Sequence, residues 1–175
     1  MYYKSTLAGQ LYLNKLYMSI FKFDTMAEEA GKRPQFVPLT ENLYVLEVQD
    51  AISEMGTTYD GKGEQEQIVI TFKVLKPLDG GDLIDIEGNY PTSDTMKVWC
   101  NPAAVGFNRK TNQPHKTRQV LTAILGVPVE SPIEIEGWDD LIGKKVKAYI
   151  SLTTRPDGSK GNKLDKFSPF DAKKK

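Results

Sequence analysis

Between residues 145 and 152 the chain reads KVKAYISL, apolar and polar side chains taking strict turns. A period of two is the pattern of an extended strand, whose successive side chains point to opposite faces. Val146, Ala148, Ile150 and Leu152 therefore turn inward, and Lys145, Lys147, Tyr149 and Ser151 turn outward. The same alternation recurs in EQIVITFKVL at residues 66–75, where Ile68, Ile70, Phe72 and Val74 share a core face while Val69, Thr71 and Lys73 look away from it. Residues 43–52, LYVLEVQDAI, set Tyr44, Leu46 and Val48 against Val45, Glu47 and Gln49. In TMKVWC, residues 95–100, Met96, Val98 and Cys100 face the core, so Trp99 lies outside beside Lys97.

One segment departs from this period. Val120, Leu121, Ile124 and Leu125 form the apolar face of a helix; Pro114 suits its first turn, and Gly126 followed by Pro128 stops it. A final strand, NKLDKFSPF, follows the turn residues of RPDGSKGN. The third strand is expected to be broken or bulged, with LIDI at residues 83–86 leading into TMKVWC. Residues 54–64, with three glycines, read as a flexible loop. The order is strand, strand, strand, helix, strand, strand. It predicts an all-β fold with one capping helix: a five-stranded oligonucleotide-binding (OB) barrel, its helix plugging the barrel between strands three and four.

Residues 38–170 form the expected domain. Residues 1–37 read as an N-terminal arm whose first seventeen residues precede a second methionine, Met18, and resemble an upstream extension; residues 171–175 form a basic tail. No apolar run approaches the roughly 20 residues needed to cross a bilayer, and Gln10 and Asn14 interrupt any signal-peptide core. The lone Cys100 excludes an intramolecular disulfide framework and fits a reducing cytoplasm.

Formal net charge is zero, but the charges are not evenly spread. Residues 41–100 hold four lysines against twelve Asp or Glu, whereas residues 101–175 hold fourteen Lys or Arg against eight acids. A neutral total thus conceals a basic half able to face a polyanion, because local potential acts within a Debye length of about 10 Å.

An outward indole beside a cation is a platform for a nucleic-acid base, and a strand face of lysines with a phenol supplies phosphate contacts and a second ring. The expected interface for single-stranded DNA is accordingly Trp99 and Tyr149 for stacking, with Tyr59 and Phe107 closing from loops. Lys73, Lys97, Arg109, Lys110, Lys145, Lys147, Arg155 and Lys160 would hold phosphates. Trp99 could instead be covered by the arm, and the lysines could be a solvated face that guards an edge. Trp138, ahead of Leu141 and Ile142 in a helical turn, reads as a packing residue.

WDDLIGKKVKAYISLT with the downstream GNKLDKFSP, together with LYVLEVQDAI and EQIVITFKVL, resembles small bacteriophage-encoded OB-fold proteins that bind single-stranded DNA. The resemblance covers residues 38–168. It implies a role in replication or recombination, replication or recombination proteins as further partners, and the host-cell cytoplasm as the location. Many single-stranded DNA-binding proteins end in an acidic recruiting tail, whereas this chain ends in Lys173, Lys174 and Lys175.

Catalytic groups are sparse, and the expectation is a protein that is not an enzyme and needs no cofactor. One histidine, His115, and one cysteine cannot make a zinc set. Neither a Walker loop nor a dinucleotide fingerprint is present. Asp79, Asp82, Asp85, Glu87 and Asp94, with Asp60-Gly-Lys62, form only a weak outline of a metal nuclease. The alternative is a barrel that docks onto a replication or recombination partner without touching nucleic acid. A self-complementary edge would allow a homodimer.

Overall fold

The computed structural model describes residues 36–58 and 61–171. The extension, the arm up to residue 35, Tyr59 and the lysine tail lie outside them. Strand β1 (Asn42–Thr57), the longest element among the described residues, pairs on one side with β2 (Glu64–Pro77) and on the other with β4 (Lys145–Thr154). Strand β3 (Thr95–Cys100) adds to β2, and β5 (Lys160–Pro169) adds to β4. All four pairings are antiparallel, in the order β3-β2-β1-β4-β5.

Residues 36–58 and 61–171 thus form a five-stranded antiparallel sheet with one α-helix. Among the described residues β3 and β5 do not pair, so the closed barrel expected from the sequence is an open sheet with two edges. The sheet nevertheless curls. Strands β2 and β5 stand three positions apart, roughly 14 Å on a flat sheet, yet the rings of Phe72 and Phe167 lie 6.0 Å apart.

The alternation read from the sequence fills the concave side. Tyr44, Leu46, Val48, Ile68, Ile70, Phe72, Val74, Val98, Cys100, Val146, Ala148 and Ile150 are all buried in one apolar cluster. Helix α1 (Lys116–Leu125) covers this cluster with Val120, Leu121, Ala123 and Ile124 and packs on β4 and β5. It ends at Gly126, whose φ of 72° turns the chain so that the Val127 amide reaches back to the Thr122 carbonyl. A 3-10 turn at Trp138–Leu141 buries Leu141, and Trp138 packs against the core as its sequence context implied.

Two expectations about local structure are corrected. Residues 54–64 are not a loose loop: β1 continues to Thr57 and β2 begins at Glu64, making a two-stranded arm with a short tip. Its outer residues are exposed, and their strand form comes from cross-strand pairing, which overrides glycine-rich composition. The LIDI segment is not part of β3; it is held to the fold by a bridge from Leu39 to Asp85 and by Leu83, which packs against the core. There the buried Asp85 carboxylate accepts from the amides of Glu87 (2.9 Å) and Asn89 (3.0 Å), fixing a turn in place of a strand.

The chain enters the domain across the β4–β5 hairpin. Asn162 imitates a strand by accepting from the Leu39 amide (2.7 Å) and donating to the Leu39 carbonyl (3.0 Å). The Glu41 carboxylate accepts from the Leu152 amide at 2.7 Å.

Candidate nucleic-acid interface

Trp99 projects from the outer side of β3, 56% exposed. The register explains this: Met96, Val98 and Cys100 oppose core residues of β2, and Trp99 opposes Val69. Val69 in turn opposes Ile52 of β1, so an apolar row runs Trp99, Val69, Ile52 on the face turned away from the core. Val69 is only 3% exposed although it lies outside the core cluster, shielded between its two larger neighbours. The indole therefore stands on an apolar floor with much of its own surface in water.

The next rows of this face are charged. Lys97 opposes Thr71, which opposes Asp50; Thr95 opposes Lys73, then Glu47, then Lys145. Lys97 is exposed and makes no ion pair among the described residues. Lys73 lies 3.8 Å from Asp94, and Lys145 lies 3.8 Å from Glu47. Glu47, Asp50 and Glu54 thus place carboxylates along β1, in the middle of the sheet.

Tyr149 does not join Trp99. It opposes Leu43, nine residues along β1 from Ile52, which is roughly 30 Å of extended strand, and it lies three strands across the sheet. Its surroundings are its own: the Lys166 ammonium sits 5.6 Å from its ring, and Lys147 sits 5.9 Å from Phe170. Arg155 and Lys160 belong to this second region, and the Arg155 guanidinium stacks 5.6 Å from Phe36. Neither Lys166 nor Phe36 was legible as a neighbour, because a bulge in β5 and the return of the chain near residue 36 bring them there.

Phe107, Arg109 and Lys110 lie on the connection that leaves β3 for α1. A 3-10 turn, Pro102–Ala104, is capped by the Asn101 side chain, which accepts from the Ala103 amide at 2.8 Å. The rest is a narrow hairpin: Phe107 bridges Pro114, the Asn108 amide reaches the Gln113 carbonyl (2.8 Å), and the His115 amide reaches Gly106 (3.1 Å). Asn108 accepts from the amides of Lys110 and Thr111, so both cations ride on a shaped tip.

What holds this loop was not legible in the sequence. Arg118, in the first turn of α1, donates to the carbonyls of Val105 (3.0 Å), Ser131 (2.7 Å) and Val129, and its guanidinium lies 4.7 Å from the Phe107 ring. A planar fork of donors suits several carbonyls at once, which an ammonium could not match. Beside the ring is a cleft of about 700 Å³ lined by Gly106, Phe107, Asn108, Arg109, Lys110 and His115, with no carboxylate in its wall. A separate groove of about 510 Å³ along α1, with Val127, Val129, Phe167 and Pro169, is apolar, and Asp171 is its charged member.

Cys100 is 1% exposed, and burial pushes its thiol up to about 11. His115 precedes α1 without a side-chain cap. No described helix is long and apolar enough to cross a membrane. Neither a protein-family model nor a curated protein matches this chain.

Proposed function

We propose that this chain is an OB-type, non-catalytic binder of single-stranded DNA that acts in phage replication or recombination. Trp99 carries the reading: an indole half in water, on an apolar floor and next to Lys97, which forms no ion pair among the described residues, suits a stacking platform with a cation in reach of a phosphate. The strand order supports the OB assignment, since β1 is shared by β2 and β4 and the helix lies between β3 and β4. Stacking on an indole reads no base edge, so sequence preference is weak.

The test is fluorescence of a Trp138→Phe protein, in which Trp99 reports alone, titrated with an unstructured oligonucleotide and with matched duplex. Single strands quench the emission and shift the protein in a low-salt gel. A protein that answers to neither form is not a strand binder.

A second reading, docking onto a partner protein, draws on the connector between β2 and β3. Leu78, Ile84, Ile86 and Tyr90 are all exposed there, and the Asp85 turn holds the backbone in shape. Large apolar side chains gathered on a fixed loop would suit a protein contact if they form one patch. Salt separates the two: a strand held by Z phosphates loses affinity with a log-log slope near −0.7Z, whereas an apolar protein contact responds weakly.

A further inference from the structure

We infer that a single strand resting on Trp99 continues into the Phe107 cleft and does not cross the sheet to the lysines of β4. The inference rests on the strand-binding reading and names the path taken at that site. Three observations carry it.

The direct route from Trp99 to Tyr149 passes over β1. There the outer face presents Glu47, Asp50 and Glu54, and the two lysines flanking that stripe are already held, Lys73 by Asp94 and Lys145 by Glu47. A phosphate on this route meets carboxylates at distances where like charges repel, and it must compete for each lysine.

The loop beyond β3 offers the opposite environment. Its cleft has an aromatic ring, two cations and no carboxylate, and Arg109 and Lys110 form no ion pair among the described residues. A planar base fits against the ring, and a phosphate pairs with the guanidinium or ammonium.

The cleft is also built in advance. Arg118 fixes Phe107 by stacking and ties the loop to Val105, Val129 and Ser131, while the Asn101 amide donates to the Thr117 hydroxyl at 3.0 Å, joining the end of β3 to α1. A ring held before binding loses little freedom when a base arrives. The connection begins at Asn101, two residues past Trp99, so the chain itself links the indole's end of β3 to the loop that forms the cleft.

The experiment uses the full chain and an end-labelled thymidine oligonucleotide, with anisotropy read across a salt series. Arg109→Gln with Lys110→Gln removes about two contacts. The slope then falls by about 1.4, and affinity at 0.1 M salt falls roughly 25-fold. Lys145→Gln with Lys147→Gln leaves the slope unchanged. A second readout needs no variant: light-driven crosslinking of an iododeoxyuridine oligonucleotide falls on Phe107 itself, told apart from Trp99 by fragment masses, and not on Tyr149. A slope that drops with the β4 pair, or equally with both pairs, overturns the path while leaving strand binding intact. If the wild-type chain binds no oligonucleotide at low salt, the strand-binding reading itself is lost, and the path with it.

Discussion

Phe72 of β2 and Phe167 of β5 meet with ring centroids 6.0 Å apart and planes tilted by 37°, although β1 and β4 lie between their strands. The contact depends on Lys166, whose φ of 50° makes it the extra residue of a bulge: Tyr149 opposes Asp165, and the next pair is Lys147 with Ser168. One inserted residue bends β5 and returns Phe167 to the concave side. Edge strand β5 is thereby drawn toward β2 over the core without a hydrogen-bonded seam.

Truncating either ring should therefore loosen the curl. Phe72→Ala, at a fully buried position, is expected to cost about 3–5 kcal/mol in urea unfolding. A double-mutant cycle with Phe167→Ala should return a coupling of about 0.5–1.5 kcal/mol. Additive losses would mean that the rings contribute only as separate burials.

Arg118 is expected to be irreplaceable by lysine. Arg118→Lys keeps the charge but abandons most of the fork that reaches Val105, Val129 and Ser131, leaving carbonyls without a donor. A loss on the order of 2 kcal/mol should follow, read as a lower thermal midpoint. Amide exchange should quicken at residues 101–115 before it does in the sheet.

Trp99→Ala should separate binding from folding. If the indole stacks, affinity for a single strand falls by about 1–3 kcal/mol. Because that side chain is 56% exposed, unfolding should shift by under about 1 kcal/mol. Unchanged affinity would return Trp99 to a role in covering Val69.

The buried thiol makes stability depend on alkaline pH. Burial holds the Cys100 pKa at about 11 in the fold, against an ordinary 9.0. The folded value is the higher one, so its contribution is complete below about pH 9 and is lost as pH rises through 11. Cys100→Ala should flatten that part of the urea-midpoint profile; the phenol of Tyr44, also raised by burial, remains in both proteins. Native Cys100 should resist thiol reagents until the protein unfolds.

Much of the fold could be read from the chain because strand periodicity is a local property. Ile68, Ile70, Phe72 and Val74 had to share a face whatever they packed against, and so did Val146, Ala148 and Ile150. The helix was equally legible, since Val120, Leu121 and Ile124 repeat at its own period and Gly126 ends it. The outward turn of Trp99 followed from the same parity.

Local pattern in the chain was therefore enough for the order of the elements, for the apolar side of each strand, and for an indole standing beside Lys97. Register, bulges and distances came only with the folded chain. It set Trp99 and Tyr149 far apart along β1, placed Glu47 between Lys73 and Lys145, opened the sheet where a closed barrel was expected, and gave Phe107 an arginine from the next helix. The physical reason is one of range: side-chain alternation is fixed by neighbouring bonds, whereas strand neighbours, ion pairs and stacked rings join residues that only the completed fold brings together.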